Sequence, residues 1–104
     1  MDNKIKNIES TVIDLLSILK RYNNGQISYQ IAQLEDILNI IKSNSNNEIK
    51  ENRINTLVEG LYPIRGGLTD FYVWKDDAKE RVMINKPISE LNDKLWNLVK
   101  TDVV

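Results

Sequence analysis

The chain has 104 residues and a formal net charge of -1, from 14 Lys+Arg against 15 Asp+Glu. That is one small domain with no electrostatic reason to coat nucleic acid or an anionic membrane. Hydrophobic residues at 41% and charged residues at 28% mark a globular chain rather than a disordered one. With no Cys and no His, disulfides, thiolate nucleophiles, Ser-His and Cys-His catalysis and the usual zinc and haem sites are excluded.

Residues 3–22 carry the clearest helical pattern. Ile5, Ile8, Val12, Leu15, Leu19 and Tyr22 alternate spacings of three and four, which stacks them on one face, and Leu16 widens the stripe. Asn23-Asn24-Gly25 stops the helix, with Gly25 suited to a left-handed backbone. A second helix is expected over 27–43 from Ile27, Ile31, Leu34, Leu38 and Ile41, and its short link to the first predicts an antiparallel hairpin. Ser45 followed by Glu48 fits a capping box for a third helix ending near Tyr62, with Ile54, Leu57, Val58 and Leu61 inward and Pro63 as the stop.

The stretch 63–76 breaks the rhythm. It holds a turn-rich Pro63-Ile64-Arg65-Gly66-Gly67, then Leu68-Thr69-Asp70-Phe71-Tyr72-Val73-Trp74. An irregular loop with one helical turn is the expectation, because a lone strand would have nothing to pair with. Asp77 with Glu80 reads as the cap of a short fourth helix over 77–84. Asn85-Lys86-Pro87 then restarts the chain into a fifth helix over about 87–101, burying Ile88, Leu91, Leu95 and Leu98. The fold class is therefore a single all-α domain of about five helices spanning 1–104. No run approaches the roughly 20 apolar residues of a membrane span, and the N-terminal residues lack a signal-peptide apolar region, so the expected location is the cytoplasm.

One pattern could serve catalysis. Glu48 and Glu51 on helix 3, with Asp77 and Glu80 opening helix 4, are i,i+3 carboxylate pairs of the kind that hold magnesium in all-α nucleotide pyrophosphohydrolases. The competing explanation is capping and solvated helix faces, and no metal or cofactor is expected. Asp70, Asp76, Asp77 and Glu80 interleave with the nearby basic residues, so direct nucleic-acid binding is not expected either.

The unusual feature is aromatic. Tyr62, Phe71, Tyr72 and Trp74 fall within 13 residues of a chain with seven aromatics in all. Phe71 and Trp74 could plug the end of the bundle, and Arg65 could pair with Asp70 inside the loop. Alternatively the segment is a presented surface, since Tyr, Trp and Arg anchor protein interfaces.

The run Tyr62 to Trp74, with Asp77, Glu80-Arg81, Asn85-Lys86-Pro87-Ile88 and Leu95-Trp96, resembles small all-helical bacterial immunity proteins of polymorphic toxin and contact-dependent growth inhibition systems. The resemblance covers about 40 residues of the C-terminal half. It implies a non-enzymatic protein whose partner is a cognate protein toxin, with a nuclease-type toxin domain as the expected target. The binding residues expected on this reading are Arg65, Asp70, Tyr72, Trp74, Asp76, Asp77 and Glu80, with Asp93 as a further acidic candidate. The alternatives are a helical adaptor or structural protein, and the metal-dependent hydrolase above.

Overall fold

Four helices with apolar side chains three and four residues apart have only one economical way to hide them, which is to face one another around a shared core. The computed structural model, which describes residues 3–63 and 67–100, has this arrangement. The helices are α1 (Asn3–Tyr22), α2 (Ser28–Lys42), α3 (Asn47–Leu61) and α4 (Ala78–Lys100), and among the described residues there is no strand. Successive helices pack against each other and α4 closes back onto α1. Ion pairs Lys4–Glu51 and Lys100–Glu59 tie the N-terminal half of α1 to α3 and the end of α4 to α3. The start of α1 shares a groove with Glu90–Leu98, and the end of α1 shares one with Glu80–Pro87. The bundle therefore runs up, down, up and down.

The core is built from the expected faces: Ile8, Val12, Leu15 and Leu19 of α1, Leu34 and Ile37 of α2, and Ile54, Val58 and Leu61 of α3. Thr11 is also fully buried, its hydroxyl donating back to the Asn7 carbonyl, which removes the cost of burying it. The α1–α2 turn is knotted by Asn23, whose side-chain oxygen accepts from the N–H groups of Gly25 and Ile27. Gly25 has a φ of 97°, as its place after the helix suggested.

Three sequence expectations are corrected. First, the cap of α3 is Asn46, whose side chain accepts from the N–H of Ile49, and not Ser45. Asn46 is the last residue before the helix, the position from which a side chain reaches the free donors. Second, 77–84 and 87–101 are one helix, and Pro87 lies inside it. Proline withholds the N–H that would bond the Met83 carbonyl, but Met83 is 74% exposed at the rim of the groove with α1, where water can replace that bond. Among the described residues there are therefore four α-helices where about five were expected. Third, the buried stripe of α4 is Ile88, Asn92, Leu95 and Val99, with Leu91 and Leu98 only half-buried. A polar residue takes a core position because a phenol waits there for it, as described below.

Helix α3 has 15 residues against the 23 of α4 and leaves one corner of the bundle open beside the N-terminal half of α4. A 3-10 turn at Leu68–Asp70, followed by residues 71–77, fills that corner and inserts Leu68 and Phe71 into the core. Gly67 opens the turn, and a Cβ there would collide with the Leu61 carbonyl and the Pro63 ring. Gly67→Ala should therefore destabilise the fold by about 1–3 kcal/mol, read from denaturant unfolding; unchanged stability would contradict this packing.

Candidate functional site

Residues 71–76 alternate. Phe71 is 7% exposed and Val73 half-buried against the core, whereas Tyr72 and Trp74 stand outward at 56% and 66% exposed. This two-residue period belongs to extended backbone. What holds the segment is Asn85 on α4. Its side-chain oxygen accepts from the Val73 N–H at 2.8 Å, and its amide donates to the Val73 carbonyl at 2.8 Å and to the Arg81 carbonyl at 2.8 Å. A side-chain amide thus supplies the paired donor and acceptor that a neighbouring strand would supply.

Arg81, one turn before Asn85, adds a second tie. Its guanidinium donates to the Lys75 carbonyl at 2.8 Å and lies 4.3 Å from the centre of the Trp74 ring. Trp74 is therefore braced from behind by a cation while remaining open to solvent. Asp77 caps α4 by accepting from the Lys79 N–H at 3.0 Å, which fixes where the segment ends and the helix begins.

Below Tyr72 lies a groove of about 420 Å³ between the segment and α4, lined by Phe71, Tyr72, Ser89, Asn92, Asp93 and Trp96 among others. Its floor is polar: the Tyr62 hydroxyl donates to the Asn92 side-chain oxygen at 2.7 Å. Tyr62 also meets Trp96 edge to face, with ring centres 6.1 Å apart, and the Lys100 ammonium sits over the other ring of that pair. Burial first, and the negative charge of Asp93 second, hold the Tyr62 phenol well above its ordinary value of 10.0, so it stays a hydrogen-bond donor.

The candidate residues are brought together only in part. Tyr72 and Trp74 share the outer face of the segment. Asp76 and Asp77 are exposed immediately after it, and Asp70 is exposed on the 3-10 turn before it. Glu80 leaves this group: it lines the groove between α1 and α4, on the other side of α4 from the Tyr72 groove. Arg65 lies outside the described residues, and with it any Arg65–Asp70 pair. Trp74 does not plug the bundle; Phe71 alone does so. The two carboxylate pairs are at opposite ends of the molecule. Glu80 is twenty residues, or about 30 Å, along α4 from Lys100, which meets Glu59, and Glu51 is two turns farther away on α3. Among the described residues no group of three or more acidic side chains could hold a metal ion.

The chain matches no family model, no curated protein and no solved structure. The site is thus read from its own chemistry. Within it, burial and the charge of Asp93 act on the Tyr62 phenol only to keep it protonated. The site offers an aromatic surface on a rigid mount, next to carboxylates.

Three participants were not singled out from the sequence as site residues: Asn85, Asn92 and Arg81. Asn92 had a readable signal, a lone amide in the apolar repeat 88-92-95-99. Asn85 and Arg81 stand in the run that carries the resemblance, but no local pattern states their roles, which are bonds to the main chain of a preceding extended segment.

The raised Tyr62 value has a consequence for alkaline stability. Below 10.0 the phenol is protonated in both folded and unfolded chains. Above it the unfolded chain loses the proton first, so stability should fall as pH rises, by at most about 1.4 kcal/mol per pH unit from this group. Tyr62→Phe should lack that part of the slope in unfolding measurements above pH 10, and identical slopes in the two proteins would contradict it.

Proposed function

We propose that this protein is an inhibitory binding module of the immunity type, which neutralises a cognate bacterial toxin by direct contact and performs no chemistry of its own. The observation that carries the reading is the outward pair Tyr72 and Trp74 on a segment pinned by Asn85 and Arg81. Large aromatics exposed on a pre-ordered backbone bind at low entropic cost and are the usual centres of binding energy in interfaces. A protein with no use for such a surface would gain by turning these rings inward, as it does with Phe71.

The acidic flank supports a nuclease-type target. Asp70, Asp76 and Asp77 border the aromatic pair, and a cleft that binds phosphates is basic. The near-neutral net charge favours a surface in which aromatic contact supplies most of the affinity and the carboxylates set orientation and capture rate. The chain would act in the cytoplasm, where an incoming nuclease finds its substrate; no described helix is long and apolar enough to cross a membrane.

The test is co-expression with the toxin encoded beside its own gene. Growth should be rescued by the unaltered protein, and absence of rescue would overturn the reading. Tyr72→Ala and Trp74→Ala should each weaken toxin binding by about 2 kcal/mol, roughly thirtyfold, while leaving the helical circular dichroism unchanged. Unaltered affinity in both variants would move the interface elsewhere.

A further inference from the structure

The hydrogen bonds around Val73 say more about the partner than its charge. The N–H and C=O of Val73 both point to Asn85, and the Lys75 carbonyl points to Arg81. Residues 73 and 75 thus turn their main chain toward α4. In an extended chain successive residues direct their N–H and C=O to opposite sides. Tyr72 and Trp74 therefore aim theirs away from α4, and among the described residues no protein group bonds to them. The segment is a single extended run, with no strand beside it, whose one edge is satisfied by side chains and whose other edge is open.

We propose that the partner is captured by strand addition, with an extended, basic stretch of the toxin pairing along the open edge at Tyr72–Trp74. This deepens the inhibitory reading and rests on it. An open edge of donors and acceptors in register is complementary to extended backbone, and adding a strand is a general way of recognising a peptide. Specificity comes from the flank: Asp76 and Asp77 lie exposed at one end of the edge, so the entering strand should carry Lys or Arg there. The outward rings of Tyr72 and Trp74 would cover one of its faces. The edge is short and acid-flanked, features that limit pairing between two copies of one chain.

The experiment is amide hydrogen exchange, read residue by residue by nuclear magnetic resonance on the intact protein. In the complex with the toxin encoded beside its gene, the Tyr72 and Trp74 amides should slow by about tenfold or more, with Val73 little changed. Fast exchange at both positions in a formed complex overturns strand addition and leaves the inhibitory reading standing. If that toxin does not bind, the inhibitory reading fails by itself, and an alternating Val-Lys hexapeptide decides the edge. Slowing of Tyr72 and Trp74 by this peptide, and less by its Val-Glu counterpart, supports the proposal. No slowing, or equal slowing by both, overturns it. So does concentration-dependent slowing without any peptide, which would make a second copy the occupant.

Discussion

One amide holds the segment between α3 and α4 in shape. Asn85 gives Val73 the donor and acceptor that an adjacent strand would give, and does so from a helix. A buried or half-buried main-chain group left unpaired costs on the order of 1–3 kcal/mol, so residues 71–76 could not lie against α4 without such a partner. Once Val73 is pinned, the rest follows from the extended period: Phe71 falls into the core, and Tyr72 and Trp74 are forced outward. The continuity of α4 through Pro87 belongs to the same account, since Asn85, Ile88 and Asn92 must share one rigid face for the segment, the core and the groove floor to be joined.

The helix separates two neighbourhoods. On one side, Glu80, Met83 and Ile84 meet the end of α1; on the other, Asn85, Ser89, Asn92 and Trp96 meet the segment and Tyr62. Charge and aromaticity are thus not pooled into one acidic patch. Asp77 is partly committed to capping α4, and Glu80 faces the wrong way to join Tyr72. What remains at the segment is a pair of braced rings with carboxylates at their margins. This suits a binder that relies on shape and aromatic contact more than on mimicry of a phosphate chain.

Much of this was legible in the sequence, and the limits are physical. The three-and-four spacing of Ile8, Val12, Leu15 and Leu19 on α1, and of Ile54, Val58 and Leu61 on α3, states which face is buried, because helix periodicity is local. The stop at Gly25 and the cap at Asp77 are local too. Pro87 misled because a proline normally ends or opens a helix, whereas here packing on α1 carries α4 through it. Trp74 was ambiguous between plug and anchor, and only its position after Val73 in an extended chain resolves that. The expectation of a loop with one helical turn at 63–76, because a strand over Leu68–Trp74 would have nothing to pair with, agrees with the 3-10 turn at Leu68–Asp70; that residues after it run extended against a side chain of α4 is announced by no spacing rule.

In the free protein, Asn85 holds residues 72–74 extended with one edge satisfied and the other open. Residue-specific amide exchange of the unbound chain, compared with Asn85→Ala, tests it most directly. Val73 should exchange much more slowly than Tyr72 and Trp74 in the unaltered protein, and match them once Asn85 is replaced. A Val73 amide that exchanges as fast as its two neighbours with Asn85 in place would contradict it.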